Sequence, residues 1–233
     1  MPYRRLPNTD KSRLKALSTL LENNELYTVR DRFIDWKDIN KAKTAYDKLL
    51  TLVNQYEIDK KAQSRGKGRI DKLQRNAVLY MSHFMQVLRM SIERGEIKKK
   101  TLEFYSLSDD MAALNFQTIS ILLEWGPKII AGEKARLKKG GRPIYNPTIG
   151  MVSTHFEIYK EAYEKHQVLQ RRTREMERQL KEVRPSIDEL ILKIWNDIEK
   201  HFMGEKVIDR VEECEKYGIK YYYRRKEKKQ MKL

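Results

Sequence analysis

Four histidines, His83, His155, His166 and His201, are the first residues to weigh for chemistry in this chain. In a helical bundle they would suit a carboxylate-bridged pair of metal ions. Such a site takes Glu-x-x-His from two helices and an inward glutamate from each of two others. Three residues ahead of the histidines stand Tyr80, Val152, Tyr163 and Ile198, so that ligand set is missing. Glu93, Glu124, Glu133, Glu157 and Glu161 fall on helical stretches and leave a carboxylate pair open, although the preference of glutamate for solvent points them outward. His166 lies on an apolar seam and reads as a hydrogen-bonded core residue rather than a ligand. No Gly-x-Ser-x-Gly, His-Glu-x-x-His or Walker-type loop occurs. Cys214 is the only cysteine, which excludes an internal disulfide and a multi-cysteine metal site. We therefore assign no catalytic residue, no metal ligand and no cofactor.

Cations carry the better signal. The chain has 233 residues with 49 Lys and Arg against 33 Asp and Glu, a formal net charge of +16, and a polyanionic partner suits that balance. Residues 60–75 hold Lys60, Lys61, Arg65, Lys67, Arg69, Lys72 and Arg75 against one acid, Asp71. A second cluster is Arg171, Arg172, Arg174 and Arg178, and the C-terminal tail adds Arg224, Arg225, Lys226, Lys228, Lys229 and Lys232. Phosphate neutralisation needs such groups, and Tyr221, Tyr222 and Tyr223 beside the tail have faces on which bases stack. A short strand explains the three tyrosines without a ligand and is the preferred reading. Gly66-Lys67-Gly68-Arg69 and Lys139-Gly140-Gly141-Arg142 each set backbone amides beside cations, in turns able to hold a phosphate.

The elements that position these groups are helical. Residues 146–183 repeat Ile149, Val152, Phe156, Tyr159, Tyr163 and His166, then Leu169, Thr173, Met176, Leu180 and Val183, which predicts one long helix whose seam slips near His166. Asn146-Pro147 opens it and Arg184-Pro185-Ser186 ends it, with Ser186 and Glu189 as a capping box for the next helix, whose face runs from Ile187 to Phe202. Earlier, Thr9 or Asn8 caps a first helix with Leu14, Leu17, Leu20 and Leu21 on one side, ending near Asn23. Two further helices, 35–65 and 69–94, are predicted on either side of Gly66-Lys67-Gly68 as an antiparallel hairpin. Residues 102–107 suit a short strand or extended segment. Residues 111–137 form a helix kinked or split at Gly126-Pro127, before the loop 138–143. A last helix over 205–217 closes at Gly218, and 219–223 is β-prone.

Three stretches, Pro2-Tyr3-Arg4-Arg5-Leu6-Pro7-Asn8-Thr9-Asp10, Glu124-Trp125-Gly126 with Ile129-Ile130-Ala131-Gly132-Glu133, and Gly140-Gly141-Arg142-Pro143-Ile144 with Asn146-Pro147-Thr148, resemble an uncharacterised family of all-helical bacterial cytosolic proteins. The resemblance implies the same fold class and compartment. It carries no activity with it.

The expectation is an all-α protein: an elongated antiparallel bundle over residues 1–203, with a C-terminal appendage over 204–233 that ends in the basic tail. No apolar run approaches the 18 or so residues of a spanning helix and none follows the basic start, so a cytoplasmic protein without a transmembrane segment is expected. Its coiled-coil-like seams point first to a non-enzymatic scaffold that engages a protein partner or itself. The alternative is a nucleic-acid-associated protein binding RNA or DNA through Lys60, Lys61, Arg65, Lys67, Arg69, Lys139, Arg142, Arg171, Arg172, Arg174, Arg178, Arg224 and Arg225. An enzyme with its site inside the bundle ranks third.

Overall fold

The computed structural model describes residues 3–23, 33–107 and 114–223, and the protein is all-α. In chain order come β1 (Tyr3–Arg4), α1 (Asp10–Glu22), α2 (Trp36–Glu93), a 3-10 helix (Lys99–Tyr105), α3 (Ile119–Lys138), α4 (Ile149–His201), a 3-10 turn (Phe202–Gly204), α5 (Val207–Lys216) and β2 (Tyr221–Tyr222). Among the described residues no helix is long and apolar enough to cross a membrane.

Two compact units divide the chain, Met1–Lys60 with Arg172–Leu233 and Lys61–Arg171, and both α2 and α4 contribute to each. In the first unit α1 begins as predicted. The Thr9 hydroxyl accepts from the Ser12 amide at 3.2 Å, and the Ser12 hydroxyl accepts from the Thr9 amide at 3.0 Å. This reciprocal cap lays Leu17 and Leu20 against Leu49, Leu180, Ile187, Ile191 and Ile194. Cys214, Tyr217 and Ile219 from the C-terminal segment belong to the same core. Gly218, at φ +88°, makes the turn between them, and a side chain there would strike the Ala16 carbonyl. The β-prone residues 221–222 pair antiparallel with β1 in the register Tyr3 to Tyr222 and Arg4 to Tyr221. In the second unit Ala77, Met81, Phe84 and Leu88 of α2 meet Leu122 and Ile129 of α3 and Val152, Phe156 and Tyr159 of α4.

Several predicted boundaries are overturned. Gly66-Lys67-Gly68 is not a loop: α2 runs unbroken from Trp36 to Glu93, so the expected hairpin of two helices is one helix. Each glycine costs a helix interior only about 1 kcal/mol against alanine. Burial on both sides outweighs that, by Val53 and Tyr56 in the first unit's core and by Ile70 and Leu73 in the second's. Pro185 likewise lies inside α4, which extends to His201, and Ser186 donates to the Val183 carbonyl instead of capping a new helix. An interior proline costs ~3 kcal/mol. Ion pairs to α1 hold the helix on either side of it, Arg184 to Asp10 at 2.7 Å and Asp188 to Arg13 at 2.7 Å, and Ile187 and Ile191 are buried just beyond.

Pro127 does not split α3, which passes through it, and Gly126 sits where any side chain would overlap the Phe156 ring. The segment read as a strand forms the 3-10 helix Lys99–Tyr105, closed by Ser106 at φ 57°. α4 starts two residues after Pro147, with Thr148 accepting from the Met151 amide at 3.3 Å, and the Asn146–Pro147 bond is cis. The expected start of α3 at 108–111 lies outside the described residues.

Candidate functional site

The most enclosed polar group of the second unit is Tyr105–Glu133–Arg136. Glu133 and Arg136 are 1% and 3% exposed, one turn apart on α3. Arg136 holds Glu133 with both ends of its guanidinium, Nε to Oε2 and Nη2 to Oε1, each at 2.7 Å. Tyr105 donates to Glu133 Oε2 and accepts from Arg136 Nε at 3.1 Å, while Arg136 Nη2 also donates to the Arg142 carbonyl at 2.7 Å. Burial first, then the Glu133 carboxylate, pushes the Tyr105 hydroxyl far above its ordinary pKa. The Glu133 carboxylate holds Arg136 charged. The close approaches around the group require glycine: a side chain on Gly132 would fall on the Phe104 carbonyl, and one on Gly141 on Arg136. A network so fully paired and closed to water is a clamp between α3, the 3-10 helix and loop 139–143, not a place for a substrate.

Sequence reasoning placed Glu133 in solvent and did not single out Tyr105 or Arg136. The signal was available in α3. Leu122, Gly126, Ile129, Glu133 and Arg136 recur at steps of four, three, four and three, so the charged pair continues the buried seam.

The predicted phosphate turn at Lys139-Gly140-Gly141-Arg142 is a helix end. The amides of Lys139, Gly140 and Gly141 donate to the carbonyls of Ala135, Leu137 and Arg136, closing α3. Lys139 lies over the Phe104 ring at 4.9 Å, and Arg142 is exposed. The Gly66-Lys67-Gly68 amides lie within α2.

The other predicted cations separate into paired and unpaired groups. Arg178 is bound on its own helix, to Glu175 at 2.6 Å and to Glu182. The bond from Arg178 first, then one from Gln179, draws the Glu175 carboxyl down to about 2. Lys60 lies over the Tyr56 ring at 5.2 Å. Arg171, Arg172 and Arg174 are exposed, but at 100° per residue they point around α4 rather than along one side. Arg224 and Arg225 lie outside the described residues.

Lys61, Arg65, Arg69, Lys72 and Arg75 differ from all of these. They are exposed, they share a face of α2 within about 120°, and they span about 21 Å of its length. Among the described residues none of the five has a carboxylate within 4.0 Å, nor has Lys67 on the opposite side. Other exposed cations are paired along their own helices, as Arg89 with Glu93, Lys128 with Glu124, and Lys181 with Glu177. Of the tyrosines near the tail, Tyr221 donates to Glu199 at 2.6 Å, and Arg5 lies over the ring of Tyr222 at 5.1 Å, which stays exposed.

Among the described residues no cluster of three His, Cys, Asp or Glu side chains is placed to share a metal ion. In comparisons with known proteins no family model matches the chain, and no curated protein or solved structure is similar to it.

Proposed function

We propose that this protein binds nucleic acid through the cation face of α2. The observation that carries the reading is the row Lys61, Arg65, Arg69, Lys72 and Arg75, exposed on one side of a helix with no carboxylate of the described residues within ion-pair distance. A helix surface meant only for solubility gains from pairing each cation with a carboxylate three or four residues away, as much of α4 does. Leaving five unpaired in a row raises the local positive potential, which favours a partner with regularly spaced negative charge. The row is long enough to meet about six phosphate steps at 3.4 Å each. The protein-interaction reading has less behind it, because exposed apolar side chains such as Leu79, at 62%, and Ile58, at 60%, are ordinary on protein surfaces.

Fluorescence anisotropy with a labelled 20-nucleotide RNA tests the proposal. Five phosphate contacts give a slope of log affinity against log salt near −3.5 for a single strand. Replacing Arg65, Arg69 and Lys72 together by glutamine should reduce that slope by about 2 and leave the circular dichroism unchanged. Absence of binding at 50 mM salt, or an unaltered slope in the triple variant, would overturn it.

A further inference from the structure

A cleft of about 330 Å³ opens in the second unit beside the cation row, between Gly66, Arg69, Ile70 and Leu73 of α2 and the stretch of α4 from Ile158 to Leu169. Its chemistry is mixed in a particular way. Ile70, Leu73, Ile158 and Leu169 supply apolar wall, and His166 supplies a flat imidazole that bonds to Gln170 at 3.1 Å through one nitrogen. Two cations stand at it. Lys165 is offset by Glu161 at 2.6 Å, whereas Arg69 has no carboxylate within 4.0 Å among the described residues and belongs to the row on α2. Glycine weakens a helix interior, yet nothing around Gly66 demands one: an added Cβ would meet only Ile70 Cδ1, at 3.9 Å. What the missing side chain does is leave the cleft open.

An apolar slot with an imidazole in its wall and, at its side, a guanidinium that makes no direct ion pair fits a flat heteroaromatic ring joined to a phosphate. We propose that the cleft takes up an unpaired base of a single-stranded nucleic acid whose phosphates follow Lys61, Arg65, Arg69, Lys72 and Arg75, so that single strands bind in preference to duplex. The inference rests on the nucleic-acid reading above. A duplex presents the same phosphates to the row but keeps its bases stacked and paired, and the cleft stays empty.

The experiment compares, by anisotropy at 50 mM salt, a 20-nucleotide single strand, its duplex, and a single strand of abasic sugar-phosphate. The wild-type protein should bind the single strand roughly tenfold more tightly than the abasic strand, the measure of one base held in an apolar, stacking site. Gly66→Leu, which places a side chain in the cleft and removes no cation, should lower single-strand affinity roughly tenfold while preserving duplex affinity and the salt slope. Gly68→Ala, which adds only a methyl group in open space away from the cleft on the same helix, should change neither. Equal affinity for the single strand and the abasic strand overturns the base pocket, whatever the variants do, as does a Gly66→Leu protein that binds like wild type. In both cases a steep salt dependence would leave the cation row standing. Failure of every probe to bind removes the row and the cleft together.

Discussion

Replacing Arg136 by methionine tests whether the second unit depends on its buried clamp. The change keeps a long apolar side chain but removes the guanidinium that binds both oxygens of Glu133 and the Arg142 carbonyl. Glu133 is then left 1% exposed with the Tyr105 hydroxyl as its remaining partner. Breaking a buried pair by deleting one member costs about 3–5 kcal/mol, because the surviving charge keeps its desolvation cost and loses its compensation. For a chain of this size each kcal/mol moves the thermal midpoint by about 2–4 °C, so a fall of about 6–20 °C is expected. Urea unfolding followed by circular dichroism measures the same deficit as a free energy. Removing the whole group with Tyr105→Phe, Glu133→Leu and Arg136→Met should recover most of the loss, since no buried charge is left unpaired. A single variant within about 1 kcal/mol of wild type, or a triple variant less stable than the single one, would refute this account of the clamp.

Two other outcomes follow from the helices. Gly66→Ala and Gly68→Ala should each stabilise the protein by about 0.4–1 kcal/mol, because both glycines lie in helical backbone with room for a methyl group. Destabilisation in urea titrations would mean that the chain turns there after all. Asp38 is 2% exposed and bonded to Lys193 at 2.5 Å, and that bond outweighs burial to hold its carboxyl below the usual range. A depressed folded pKa contributes stability above the unfolded value near 3.9 and loses it as pH falls through the folded value, so Asp38→Asn should flatten the acid limb of a plot of unfolding midpoint against pH. A limb as steep as that of wild type would mean other carboxylates carry it.

What could be read from the sequence depended on whether local or distant energies decide each position. The Thr9 cap and the closing turn at Gly218 are local: the groups that satisfy the helix ends lie within a few residues, and both positions were legible. The alternation of Val152, Phe156 and Tyr159 was legible because a buried seam repeats along one helix. Gly66, Gly68 and Pro185 were misread because local propensity opposes the outcome there and distant packing decides it. Arg184 reaches Asp10 and Asp188 reaches Arg13 across more than 170 positions of sequence, and no window around Pro185 contains those partners. The pairing of β1 with β2 joins the two ends of the described chain for the same reason. The cation face is an intermediate case. Its charges were legible as composition, but the glycines between them pointed to a loop, and only a continuous helix turns Lys61, Arg65, Arg69, Lys72 and Arg75 to one side. One misread pair of glycines therefore concealed both the row and the cleft: in a loop Gly66 is a turn residue, whereas inside a helix it is an opening.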